Sequence, residues 1–154
     1  MTDADRLRHE AYMRRCLALA RQAMRTGDTP VGSLIVRGDE ILAEGVEAVR
    51  AKHDVTAHAE IEALRAAARW IGSRDLSGCT LYTSVAPCIM CAYAIRLARV
   101  AVVVSGADTT GDDATLNGLA VLISVDLLRD RPPPLVVRGI LSTDCQDVLR
   151  ERQA

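Results

Sequence analysis

CTLYTSVAPCIMCAYAIRLARVAVVVS, residues 79–105, is the stretch from which the rest of the chain can be read. Cys79 to Ser84 has the β-branched and aromatic composition of a strand. Val100 to Ser105 is strongly apolar, as a strand covered on both faces must be. Between them Cys88 to Leu97 reads as a helix, with Pro87 in the first turn, where a helix tolerates proline best.

The flanks extend this pattern. Residues 4–25 form an amphipathic helix with Tyr12, Cys16, Ala20 and Met24 at four-residue spacing, stopped by Gly27-Asp28-Thr29-Pro30. Val31 to Val36 and Ile41 to Gly45 flank Arg37-Gly38-Asp39-Glu40 as a hairpin. Ala57 to Ile71 is a second helix, with Ile61, Leu64 and Ala68 on one face and Gly72 ending it. Downstream, Leu116 to Leu128 is expected to be helical, Leu135 to Arg138 a fifth strand and Thr143 to Arg152 a last helix. After the hairpin, strand and helix alternate. The expectation is a single α/β domain over residues 1–154, a three-layer α/β/α sandwich. Its five-stranded mixed sheet, mostly parallel, is covered by helices, with ligands near the carboxyl ends of strands.

Composition narrows the function. A chain of 154 residues buries roughly two thirds of its unfolded surface without help from metal or disulfides, so any metal would serve function more than bulk stability. The five cysteines are unevenly spaced, and the N-terminal stretch lacks the apolar core of a signal peptide. Free thiols and a cytoplasmic location are expected. No apolar run is long enough for a bilayer, so no membrane partner is expected. A formal net charge of -1 argues against a polyanion as the main partner.

Cys88 and Cys91 are three residues apart, and near a helix N-terminus their thiolates are favoured. The pair alone fits a redox dithiol, half of a structural zinc site, or two buried side chains packed for volume. His58 alone reads as a hydrogen-bonded histidine at a helix start, and Glu60 alone as a surface carboxylate. Together, one histidine and two cysteines offer zinc three ligands and leave its fourth position for water. Glu60, two residues after His58, points differently around the helix and need not bind the metal. Beside a metal it becomes a general acid/base. With Thr56 as the helix cap, the capping-box partner would be Ala59, which leaves Glu60 free of that task.

These residues match the known zinc-deaminase signature, histidine-x-glutamate followed by proline-cysteine-x-x-cysteine. The chain resembles the cytidine deaminase superfamily, in particular the branch of guanine deaminases and bacterial tRNA adenosine deaminases. The likeness runs from Pro30-Val31-Gly32 through His53 to Ile61 and Leu81-Tyr82-Thr83 to Pro87-Cys88-Ile89-Met90-Cys91, and fades after Gly106. It implies one zinc ion per chain on His58, Cys88 and Cys91, which acidifies a water. Glu60 would move that water's protons during hydrolytic loss of ammonia. The resemblance also implies that the Ala59 N–H meets a substrate carbonyl, and that the chain forms a homodimer.

Three departures bear on substrate. Relatives carry asparagine eleven residues before the histidine, where this chain has Glu47. An ionised glutamate offers acceptors only, which favours rings that present N–H donors, such as isoguanine-like purines or aminotriazines. Ala86 replaces a glutamate common before the Pro-Cys pair. Aromatic residues end at Tyr93, so aromatic closure from a C-terminal segment is unavailable to this chain. Asp108, Asp112 and Asp113 are candidate polar contacts, Asp113 foremost. The expected partner is a free base, nucleoside or related heterocycle of guanine, isoguanine, cytosine or aminotriazine type. A tRNA adenosine deaminase and a non-catalytic zinc-bearing module are the alternatives, with nucleic acid disfavoured by charge and by the scarcity of stacking aromatics.

Overall fold

A computed structural model describes residues 1–108 and 117–151. In chain order its elements are α1 (Asp3–Arg25), β1 (Gly32–Arg37), β2 (Glu40–Val46), α2 (Val49–Lys52), α3 (Ala59–Ile71), β3 (Cys79–Val85), α4 (Ile89–Leu97), β4 (Val102–Ala107), α5 (Leu119–Ile123), β5 (Leu135–Val137) and α6 (Ser142–Glu151). The sheet order is β2-β1-β3-β4-β5.

The sheet is mixed, as expected, but it is not mostly parallel. β3, β4 and β5 are parallel, whereas β1 runs antiparallel to both its neighbours, β2 and β3. The chain leaves β2, crosses through α3 and returns as β3 in the same direction as β2, with β1 between them. β1 can occupy that interior position because Leu34, Ile35 and Val36 are all buried, leaving neither face for water.

Strand alternation divides the core into two layers. Leu34, Val36, Tyr82 and Val104 pack on one face with Met13, Cys16 and Ala20 of α1 and Cys145 and Val148 of α6. Ile35, Leu81 and Val103 pack on the other with Ala63, Leu64 and Ala67 of α3, Ala92 and Ile95 of α4 and Leu122 of α5. The result is the expected α/β/α sandwich. α1 starts at a capping box in which the Thr2 hydroxyl accepts the Asp5 N–H at 3.1 Å and Asp5 accepts the Thr2 N–H at 3.0 Å.

The helix expected over 116–128 shrinks to α5. The buried Arg96 guanidinium donates to the carbonyls of Val121, Leu122, Ser124, Leu127 and Arg131 at 2.7–3.2 Å. Its claim on those carbonyls holds the chain after Ile123 in irregular turns. α2, a single turn between β2 and α3, has no periodic signature and was not expected.

α3 lies against the sheet so closely that a Cβ on Gly45 would sit 2.0 Å from the Ala59 carbonyl oxygen and 2.5 Å from the Ala63 nitrogen. Only glycine lets backbone meet backbone here. That contact fixes the height of the α3 N-terminus over β2. Gly45→Ala is expected to lower stability by about 1–3 kcal/mol through overpacking, read as a lower urea midpoint. An unchanged midpoint would show that α3 can lift away freely.

Candidate active site

α3 and α4 each begin after a residue in extended conformation, His58 (φ -67, ψ 153) and Cys88 (φ -72, ψ 174). Neither side chain caps its own helix. Both reach toward a common point instead, joined by Cys91 from the first turn of α4. His58 Nδ1 lies 3.6 Å from Cys88 Sγ and 3.5 Å from Cys91 Sγ. All the ligand atoms lie within 4.8 Å of one another, the one such cluster among the described residues. A tetrahedral ion with Zn–S of about 2.3 Å and Zn–N of about 2.0–2.1 Å separates its nitrogen and sulfur ligands by about 3.5 Å. The donor set and its spacing therefore fit zinc.

The backbone N–H groups at both helix starts favour negative charge at this point. A hydrogen bond from Cys91 is the main influence holding Cys88 down to about 4, with His58 adding to it. The same bond drives Cys91 above the usual thiol range, assisted by burial and by Glu60. The Cys88 bond raises His58 to about 9, against the opposing effect of burial.

Glu60 is buried in the first turn of α3. Its Oε1 accepts from the Thr83 hydroxyl at 2.9 Å, and its Oε2 lies 3.6 Å from Cys91 Sγ. Burial raises its pKa, while its own N–H and the Thr83 hydroxyl act the other way. A cleft of about 470 Å³ opens here, lined among others by Val31, Glu47, Val49, His58, Glu60, Val85, Ala86 and Cys88. Glu47 sits just past the end of β2, is 8% exposed, and accepts the Ala59 N–H on Oε2 at 2.9 Å. Burial, above all, pushes it up to about 7, opposed by the Ala59 N–H.

The fold thus gathers His58, Cys88, Cys91, Glu60, Glu47 and Ala59 around one cleft. Several details differ from expectation. The cap of α3 is His58 rather than Thr56, whose hydroxyl instead bonds Asp54. Pro87 precedes the cap of α4 rather than lying in its first turn. The Ala59 N–H, expected to meet substrate, donates to Glu47. Asp108 pairs with Arg138 at 2.7 Å, and Asp112 and Asp113 lie outside the described residues. Thr83 was missed as the partner of Glu60. Its signal was its strand parity, since it shares the face of Leu81 that meets α3. Asp28 was missed as well: almost fully buried, it accepts the Arg50 and Ala51 N–H groups at 2.6 and 3.1 Å and so anchors α2 at the cleft. A lone aspartate in a helix-stopping turn gives no sign of that.

Residues 7–107 match the family model described as the cytidine and deoxycytidylate deaminase zinc-binding region. A tRNA-specific adenosine deaminase of Aquifex aeolicus is 39% identical over 98 residues, covering 64% of this chain and 65% of that protein. A guanine deaminase of Bacillus subtilis is 40% identical over 105 residues, covering 68% and 67% respectively. A structure solved in a study of A-to-I editing by tRNA:A34 deaminases shares the fold at a TM-score of 0.80 and 30% identity, covering 90% of this chain and 98% of that one. These similarities decide among the readings that the cysteine pair left open: the chain belongs to the cytidine and deoxycytidylate deaminase family, zinc-dependent hydrolases that act on C–N bonds.

Proposed function

We propose that this protein removes an exocyclic amino group, as ammonia, from a free nucleobase, nucleoside or related N-heterocycle. The observation that carries the reading is a buried carboxylate, Glu60, beside the His58, Cys88 and Cys91 cluster without being one of its members. Those three residues would hold zinc, which supplies the Lewis acidity that brings the pKa of water toward neutrality. Glu60 accepts a proton from the attacking water and delivers it to a ring nitrogen. It then passes the second proton to the departing amine, so the C–N bond breaks, a carbonyl forms and ammonia leaves. Burial suits Glu60 to this work by raising its proton affinity above that of an exposed carboxylate. The Thr83 hydroxyl fixes one oxygen and leaves the other toward the triad.

A small heterocycle is favoured over tRNA by the net charge of -1 and by the cleft, whose lining includes Asp28, Glu47 and Glu60 but only one arginine, Arg50. tRNA adenosine deamination is the second reading, supported by the similarity to the Aquifex protein and to the tRNA:A34 deaminase structure. A homodimer is also proposed. α4 exposes Ile89, Met90, Tyr93 and Leu97, aligned along one side of the helix, and this is the apolar face on which a second copy would sit. The remaining substrate contact is Glu47, which takes up the Ala59 N–H otherwise available to a ligand, with Asp113 as a further candidate.

Three measurements test this reading. Cys91→Ser is expected to reduce bound zinc from about one equivalent to a small fraction after dialysis, read by elemental analysis; full retention would remove Cys91 from the site. Glu60→Gln should keep its zinc and lose about 10²–10⁴-fold in turnover. An ammonia-release screen over free bases, nucleosides, pterins and aminotriazines, run beside an anticodon stem-loop, reads that loss; ammonia release at the wild-type rate by Glu60→Gln would sink the mechanism, and robust editing of the stem-loop alone would reverse the substrate ranking. Tyr93→Glu should move the protein to a smaller species in sedimentation velocity. No shift from a wild-type dimer would place the interface elsewhere.

A further inference from the structure

We infer that Glu47 selects the substrate by accepting a hydrogen bond from it, so that the cleft takes heterocycles bearing an N–H donor, most simply a second exocyclic amino group, at this wall. Rings that place a carbonyl oxygen there are disfavoured. The inference rests on the deaminase reading above and narrows its substrate class.

The argument begins with an unbalanced buried carboxylate. Among the described residues Glu47 has no ion-pair partner, and its one hydrogen bond is the Ala59 N–H on Oε2. A carboxylate this deeply placed needs donors on both oxygens. Oε1 receives none from the protein. Nor is it one of the sealed atoms without a partner, which are Ser33 Oγ, Arg96 Nε and Arg131 Nε, so it faces the cleft that Glu47 lines. The neighbouring wall does not complete it. Val31, Val49, Val85 and Ala86 are apolar, both Asp28 oxygens are occupied by backbone N–H groups of α2, and among the described residues neither Arg50 nor His58, which share the cleft, donates a hydrogen bond to Glu47. A ligand in the cleft can supply the donor.

The same bond removes a donor from the site. The Ala59 N–H is one of the unpaired groups in the first turn of α3 and would suit a ligand oxygen. Glu47 consumes it, and a potential donor becomes an acceptor wall. Once Glu47 is ionised, above about pH 7, a carbonyl placed against Oε1 brings lone pairs together in a place poor in water, whereas an amino group meets a charged acceptor.

The test uses the zinc-loaded chain at about pH 8, where Glu47 is ionised, and ring pairs that differ by exchange of one oxo group for an amino group. Cytosine is set against 2,4-diaminopyrimidine, and 2,4-diamino-6-hydroxy-1,3,5-triazine against the triamino ring. Dissociation constants come from calorimetry on the Glu60→Gln background, and kcat/KM comes from ammonia release with Glu60 intact. The amino member of each pair should be favoured by about 10–100-fold, the ratio that one hydrogen bond to a charged group supports. Glu47→Gln keeps an oxygen for the Ala59 N–H and adds a donor, so it should narrow or invert that preference while zinc content and melting temperature hold. Equal binding of both members, or a preference that Glu47→Gln leaves untouched, overturns the inference. Because affinity is read without turnover, that failure is distinct from failure of the deaminase reading, which shows as no ammonia from any ring with the wild type.

Discussion

The N–H groups that open an α-helix have no partner inside it, and in this protein two such openings, before Ala59 and before Ile89, come together at one point. Each opening carries a metal-binding side chain at its cap, His58 on one and Cys88 on the other, with Cys91 one turn further along. Parallel strands make the meeting possible. β3 delivers the chain directly into α4 at its carboxyl end, and β2, parallel to β3 across β1, leads through α2 into α3 on the same side. The site is therefore a property of the crossover, and the distances of 3.5 and 3.6 Å between His58 and the sulfurs are its outcome.

Two glutamates lie in the cleft, and their surroundings differ. Glu60 is held on one oxygen by a side-chain hydroxyl and lies beside Cys91 with the other. Glu47 is held by a backbone N–H and lines the same cleft. Burial raises the proton affinity of both, but their partners differ in kind. Neither is paired with a cation among the described residues. A buried anion without such a partner costs stability in the resting protein, as groups kept for binding or catalysis often do.

Behind α4, Arg96 plays a supporting part. Its guanidinium gathers carbonyls from residues 121–131 and ties that segment to the helix that carries Cys91. Gly118 completes the attachment on the other side, where a Cβ would lie 2.6 Å from the Cys88 carbonyl oxygen. The wall around the cluster is thus built from backbone in close contact, which leaves its position little freedom.

What the sequence determined by itself was chemistry carried in short range. The apolar runs marked all five strands and the spacing of Cys88, Cys91, His58 and Glu60 marked the cluster, because strand burial and helical periodicity leave direct traces in residue order. The tertiary structure decided what depends on distant backbone. It placed β1 inside the sheet and so made it antiparallel on both sides, a choice that the alternation of elements does not encode. It cut the helix after Asn117 short, because Arg96, far away in sequence, claims the carbonyls. Above all it spent the Ala59 N–H on Glu47. Residue order placed Glu47 eleven positions before His58, but only the packing of α3 on Gly45 brings that carboxylate to the first turn of α3, where it takes up the Ala59 N–H.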